Sequence, residues 1–167
     1  MSSTWSLDHE FAQGWPRRRT VIGAQAYRFA RNEEYDCAWR LADVAARFLL
    51  GKSSDRRIDE VALIPPPAIY APVPVLEWLG KRLAERLNAR FRRSLIAAVA
   101  PLGAHADVEP HLPVPLGELY RVDASAPIQG KTIMLVDWRW HQGRTLRTVA
   151  AMLRRGGADV VGFTWLL

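Results

Sequence analysis

The stretch KTIMLVDWRWHQGRTLRTVAAMLRRGGADVVGFTWL, residues 131–166, contains the clearest secondary-structure pattern of the chain. Its apolar beginning predicts a buried β-strand over 131–136. Apolar residues then recur at helical spacing and predict a helix over 145–155, which a pair of glycines ends. A second buried strand is predicted over 159–166. Because a helix separates the two strands, this unit predicts a parallel pair within an α/β sheet.

The rest of the chain continues this alternation. Apolar spacing predicts strands over 20–30 and 58–64, followed by helices over 34–50 and from about Pro74, respectively. Residues 91–99 are a further strand candidate. The sequence therefore predicts an α/β fold, with a mainly parallel sheet and helices on both faces.

The length of 167 residues, with 49% hydrophobic residues, fits one domain with its own core. Because the alternation begins at residue 20, we predict an N-terminal extension over 1–19 and a domain over 20–167. The single cysteine, Cys37, excludes an internal disulfide framework and fits a reducing, cytoplasmic location. Five prolines interrupt the long apolar run 61–76, so we predict no membrane-spanning helix.

The net charge of +6 is carried mainly by arginine, because only three of the 23 basic residues are lysines. Arginine makes bidentate hydrogen bonds to phosphate and carboxylate, so anionic small molecules and nucleic acid are candidate ligands. The alternative is a GC-rich genome that encodes an ordinary solvated surface with arginine.

The loop that joins strand to helix in the opening stretch has the features of a phosphate site. In α/β sheets ligands bind beyond the carboxyl ends of the strands, and a helix N-terminus offers N–H donors and partial positive charge to an anion. Gly143 would let the backbone approach a phosphate closely. Arg144 adds a charged donor, and Thr145 could donate a hydroxyl and cap the helix. The same arrangement also arises for packing reasons alone.

This stretch resembles the signature region of type I phosphoribosyltransferases. In that family an apolar strand runs into two adjacent acids, a Thr-Thr-Gly-x-Thr loop and a helix. Asp137 matches the first acid, Gly143 the loop glycine and Thr145 the last threonine. Residues 56–91 and 117–131 resemble, more weakly, the ComF-like competence branch and related helicase-associated domains.

The resemblance implies the fold of that family and a site for a phosphoribosyl compound such as phosphoribosyl pyrophosphate (PRPP), used together with Mg2+. Asp137 would be the catalytic residue, with its carboxylate accepting a hydrogen bond from a ribose hydroxyl, and no metal site on the protein itself is predicted. The predicted phosphate-binding residues are His141, Gln142, Gly143, Arg144 and Thr145.

Two departures from the family pattern bear on activity. Trp138 occupies the position of the second acid, and His141 and Gln142 replace the paired loop threonines. An indole removes an acceptor and adds a donor, so half of the expected ribose contact is lost. We therefore predict a protein that binds a PRPP-type ligand or nucleotide. It would either transfer the phosphoribosyl group with release of pyrophosphate or act as an inactive ligand sensor.

Trp138 and Trp140 have two interpretations. They could stack on a nucleobase of the ligand, or they could pack in the core or at a subunit interface, which is the more common fate of tryptophan. A homodimer is the candidate assembly, because members of the resembled family are often dimeric.

Residues 101–129 contain five prolines and little periodicity. Long segments of this kind are lids or binding loops, or else plain surface excursions. Part of the segment, GELYRVD at 117–123, is a short strand candidate. His105 and His111 are the candidate cations of the lid, so a pyrophosphate would meet little positive charge there.

A basic stripe suggests a different class of function. Arg82, Arg86 and Arg90 recur every four residues, and Arg93 follows, so they would line one face if the helix continues past Asn88. Phosphate contacts from such a face could bind DNA without reading its sequence, as in a DNA-associated accessory protein. A solvated helix face is the alternative.

Overall fold

The computed structural model describes residues 4–8, 20–22, 24–25, 28, 35–52, 56–65, 73–99, 115–139 and 143–166. Within these ranges the strands are β1 (Thr4–Asp8), β2 (Glu60–Leu63), β3 (Arg90–Phe91), β4 (Ile96–Ala98), β5 (Tyr120–Val122), β6 (Thr132–Arg139) and β7 (Asp159–Leu166). The helices whose bounds are described are α1 (Tyr35–Lys52), α2 (Val73–Arg86), α3 (Leu116–Leu119) and α4 (Arg144–Arg155).

Five strands form the central sheet in the order β1-β7-β6-β2-β3, and all of their pairings are parallel. The central strand, β6, pairs with β7 on one side and with β2 on the other. Strands β4 and β5 form a separate antiparallel pair. Because parallel strands point the same way, the carboxyl ends of β2, β6 and β7 lie at one edge of the sheet, where ligands of α/β proteins bind.

Helices cover both faces of the central sheet. Successive residues of a strand point to opposite faces. Met134 and Val136 of β6 pack with α1 and α2 on one face. Ile133 and Leu135 pack with α4 and with the β4–β5 pair on the other. The predicted α/β fold, with a mainly parallel sheet and helices on both faces, is confirmed.

Helix α4 follows directly from its sequence pattern. The buried side chains share one side of the helix and are Leu146, Val149, Ala150 and Leu153. At its end the N–H of Gly156 donates to the carbonyl of Leu153, and Gly157 adopts a left-handed φ of 85°. Glycine adopts this conformation at little cost, so the glycine pair ends the helix as predicted.

At the opposite end of the sheet, where β2 and β6 begin, a buried acid joins neighbouring strands. The Glu60 side chain is only 2% exposed. Its Oε1 atom accepts a hydrogen bond from Nζ of Lys131 at 2.5 Å, and its Oε2 atom lies 3.7 Å from Nε of Arg92. Lys131 directly precedes β6 and Arg92 directly follows β3, so this cluster ties β2 to both of its neighbours.

The N-terminal part differs from the sequence-based prediction. The strand predicted over 20–30 is wrong, because the described residues between 21 and 28 are helical. The N–H of Ala24 donates to the carbonyl of Thr20 at 2.8 Å, which is the bond of a helical turn. A short apolar run does not distinguish a strand from a buried helix. The first strand is instead β1, which was assigned to the extension over 1–19 and pairs with β7 in the central sheet.

The strand predicted over 91–99 is divided between two sheets. Strand β3 pairs with β2, whereas β4 pairs with β5, and a turn separates them. The polar sequence Arg92–Arg93–Ser94 interrupts the apolar pattern at this turn. The short strand predicted within 117–123 is confirmed as β5. No helix within the described ranges is long and apolar enough to cross a membrane.

Candidate functional site

The carboxyl end of β6 and the beginning of α4 form the candidate site. Strand β6 runs through Asp137 to Arg139, and α4 begins at Arg144. Asp137 lies two residues beyond Leu135, so it is on the face of the sheet that α4 covers. The predicted acid and the predicted helix N-terminus therefore lie on the same side of the sheet.

Gly143 makes the turn into α4. It is buried and adopts the left-handed conformation, with φ 63° and ψ 15°. Its carbonyl accepts a hydrogen bond from the N–H of Arg147 at 3.0 Å, which begins the helix. Gly143 is the cap residue and Thr145 lies in the first turn, so the predicted capping role of Thr145 is wrong, and among the described residues no side chain caps the helix. The first N–H groups of a helix have no partner within it and are the donors that α4 offers to an anion.

Four of the predicted residues lie within the described ranges, at the carboxyl end of β6 and the beginning of α4. Asp137 and Thr145 are half-buried, Gly143 is buried and Arg144 is exposed. Trp138 continues β6 through its backbone. The remaining predicted groups lie outside the described residues; they are the Trp138 side chain, Trp140, His141, Gln142, His105 and His111.

Two further polar side chains lie on this face, and sequence reasoning missed both. Tyr120 of β5 is buried, and its burial, followed by the negative charge of Asp137, raises the pKa of its hydroxyl above the usual value. Thr164 of β7 is fully buried and is the register partner of Asp137. Its Oγ1 atom has no hydrogen-bond partner within the described part of the chain. The available signal was a hydroxyl within the otherwise apolar run VVGFTWL.

The outer side of α4 is strongly basic. The helix contains four arginines and no acid, and all four side chains are exposed. They are Arg144, Arg147, Arg154 and Arg155. Arg144 and Arg147 lie in the first turns of the helix and raise the electrostatic potential around its N-terminus, whereas Arg154 and Arg155 lie in its last turn.

The four arginines of the predicted DNA-binding stripe do not share one helix face. Helix α2 ends at Arg86, and Asn88 has a left-handed φ of 52°, so Arg90 lies in β3 and Arg93 in the turn that follows. Three of the four arginines make ion pairs within the chain. These pairs are Arg82 with Glu85 at 3.0 Å, Arg86 with Asp43 at 2.9 Å and Arg93 with Glu77 at 2.7 Å.

The guanidinium of Arg82 also stacks on an aromatic ring, since its Cζ atom lies 3.8 Å from the ring centroid of Trp39. Trp39 in turn makes an edge-to-face contact with Trp78, with 5.3 Å between ring centroids. Arg82 therefore contributes to packing between α1 and α2.

The described residues contain no group of three or more His, Cys, Asp or Glu placed to hold a metal ion.

Several solved structures are similar to this chain. An adenine phosphoribosyltransferase matches with a TM-score of 0.57 and 14% identity, over 81% of this chain and 73% of that one. The enzyme of that name from Saccharomyces cerevisiae, complexed with an imino-altritol bisphosphate and adenine, matches with a TM-score of 0.58 and 13% identity, over 95% and 81%. The one from Rhodothermus marinus matches with a TM-score of 0.53 and 17% identity, over 94% and 77%.

The chain therefore has the fold of the type I phosphoribosyltransferases, and the resemblance seen in the sequence is confirmed at the level of the fold. No protein-family model matches the sequence, and no curated protein matches it. At 13–17% identity the structural likeness concerns the fold alone.

Proposed function

We propose that this chain binds the 5-phosphoribosyl group of PRPP or of a nucleotide at the carboxyl end of β6. The observation that carries the proposal is the placement of a half-buried Asp137, a left-handed Gly143 and the N-terminus of α4 on one side of a sheet with this fold. The N–H donors of the first turn bind the 5′-phosphate together with Arg144 and Thr145. Asp137 accepts a hydrogen bond from a ribose hydroxyl.

The reaction that such a site supports is phosphoribosyl transfer. The bond from the sugar C1 to a pyrophosphate oxygen breaks, and C1 forms a bond to a nitrogen of a base or amine, which loses a proton. Mg2+ enters with the substrate, on the oxygens of the leaving pyrophosphate. Such an ion would neutralise the negative charge that develops on the leaving pyrophosphate.

A ligand sensor without catalysis is the alternative, and Trp138 in the position of the second acid favours it. Release of pyrophosphate distinguishes the two functions. Release of pyrophosphate from magnesium–PRPP that depends on an added base or amine supports the transferase. Saturable binding without release supports the sensor.

Calorimetric titration tests the proposed site directly. The ligands are PRPP with Mg2+, ribose 5-phosphate and AMP, and the variants are Asp137→Ala and Thr145→Ala. We expect the loss of a charged hydrogen bond at Asp137 to weaken binding about 10- to 100-fold and the loss of a neutral one at Thr145 about fivefold. Matched controls are Asp159→Ala, at the other end of the sheet, and Thr148→Ala, one turn along α4.

Two outcomes count against the proposal. Folded wild-type protein that gives no heat with any of the three ligands excludes a phosphoribosyl site. Equal effects of the site variants and their controls would show that binding occurs elsewhere.

Other features stay predictions from the sequence: membership of the ComF-like branch, a homodimer and a cytoplasmic location. DNA binding through Arg82, Arg86, Arg90 and Arg93 also stays a prediction, and the internal ion pairs of three of these arginines count against it. Weak binding of random DNA that does not change with salt concentration would count against such a DNA site, because binding through phosphate contacts depends steeply on salt.

A further inference from the structure

We infer that Thr164 is a positioning residue for Asp137. In the ligand-bound protein its hydroxyl donates a hydrogen bond to the Asp137 carboxylate and holds that carboxylate toward a ribose hydroxyl. The inference rests on the proposed function, since it concerns the same site. It assigns a role to a side chain on β7, outside the stretch 137–145 that carries the resemblance.

The sheet places the two residues side by side. Strands β6 and β7 are parallel neighbours, and Asp137 and Thr164 are register partners. Neighbouring strands lie about 4.8 Å apart, so register partners on one face are within reach of a hydrogen bond between their side chains. Phe163 and Trp165 belong to the core beneath α1 and α2. Thr164, between them, therefore points to the α4 face, as Asp137 does.

The Thr164 hydroxyl is unusual in its surroundings. The residue is 0% exposed, and its Oγ1 atom has no hydrogen-bond partner among the described residues. A buried polar group without a partner opposes folding, whereas valine would fill the same space in a strand without that cost. A side chain that is unfavourable for stability and adjoins a candidate binding residue is typical of a functional role.

The difference in burial between Asp137 and Thr164 indicates which of them can contact a ligand directly. Asp137 is half-buried, so a ligand can reach it, whereas Thr164 lies wholly beneath the surface. Thr164 therefore acts through Asp137. The orientation of this carboxylate matters because Trp138 takes the place of the second acid. Tyr120 is also buried near Asp137, so two hydroxyl-bearing side chains lie behind the carboxylate.

The test compares Thr164→Val, which removes the hydroxyl and keeps the shape, with Thr164→Ser, which keeps the hydroxyl. Each full-length protein is titrated with ribose 5-phosphate and with inorganic phosphate, and its melting temperature is measured without ligand. Thr132→Val, at the amino end of β6, is the control. We expect Thr164→Val to bind ribose 5-phosphate about fivefold more weakly and inorganic phosphate unchanged, since phosphate does not contact Asp137. Its ligand-free melting temperature should be equal or higher, and Thr164→Ser should retain the wild-type affinity.

Each contrary result has a separate meaning. Unchanged ribose 5-phosphate affinity in Thr164→Val overturns the role of Thr164 and leaves the proposed function standing. An equal loss of affinity for both ligands, or a lower melting temperature without ligand, also overturns it, because either result indicates a structural role. Wild-type protein that binds neither ligand overturns both the inference and the proposed function.

Discussion

Gly143 occupies the turn between β6 and α4 with a φ of 63°, a conformation that disfavours every residue with a Cβ atom. From the sequence, glycine was expected at this position because it would let a phosphate approach the backbone closely. The backbone conformation provides a second reason for glycine that is independent of any ligand. The candidate site and the start of α4 therefore depend on the same residue.

We predict that Gly143→Ala lowers the free energy of unfolding by about 1–2 kcal/mol, because alanine is strained in the left-handed region. Urea denaturation followed by circular dichroism measures the change. Gly51→Ala is the matched control, since Gly51 is helical and nothing lies within 4 Å of an added Cβ atom. Alanine should leave stability unchanged or raise it there. Equal effects of the two substitutions would contradict the assigned conformation of Gly143.

Tyr120 provides a prediction about pH. Its pKa is raised from the usual 10.0 by burial and then by the charge of Asp137, so the folded protein retains the proton when the unfolded chain begins to lose it. Above pH 10 the unfolded state thus binds fewer protons, and stability falls as pH rises. In Tyr120→Phe this part of the pH dependence should disappear. Unfolding free energies measured from pH 8 to 11 check it, and parallel curves for the two proteins would contradict the raised pKa.

At the scale of elements, segments with their own periodic pattern were predicted well, whereas β1 was not predicted as a strand. Helix α4 and strand β7 match their predicted bounds to within one residue, because a long apolar pattern within the element itself specifies them. Strand β1 has only the five residues TWSLD, and what makes it a strand is pairing with β7, which lies more than 150 residues away in the sequence. Long-range pairing of this kind leaves no local pattern.

The same contrast holds for the candidate site. Asp137 and Gly143 were predictable because they adjoin strongly periodic elements. The stacking of Arg82 on Trp39 could not be predicted, since it requires the packing of α1 against α2. Thr164 was missed because only the register of β6 and β7 places it beside Asp137.

The cluster around Glu60 should contribute strongly to the stability of the sheet. Lys131→Met removes the ammonium group 2.5 Å from a carboxylate that is 2% exposed, and Arg92, at 3.7 Å, is then its one cationic neighbour within the described ranges. We expect a loss of about 3 kcal/mol in unfolding free energy, because breaking a buried ion pair leaves a charge poorly compensated. Lys81→Met, at an exposed position of α2, is the control and should change stability little. A small effect at Lys131 would show that the Glu60 carboxylate is stabilised by other groups.

At the scale of the whole molecule, the architecture and the placement of the site agree. The strand order β1-β7-β6-β2-β3 puts the longest strand pair, β6 with β7, in the middle of the sheet. Helix α4 returns from the carboxyl end of one strand to the start of the next, so its N-terminus and Arg144 lie where an anion would bind. The fold thus places the proposed phosphate-binding and ribose-binding groups at the same end of the sheet, while Trp138 is a departure from the family pattern.

The most direct test of the central claim locates the ligand by nuclear magnetic resonance. The 15N-labelled protein is titrated with ribose 5-phosphate, and backbone amide shifts are followed residue by residue. We predict saturable shifts at Gly143, Arg144 and Thr145 and at the neighbouring Asp137, with little change at Lys131 or Asp159 on the opposite edge of the sheet. No saturable shift at these residues, or shifts confined to another surface, would contradict a phosphoribosyl site at the carboxyl end of β6.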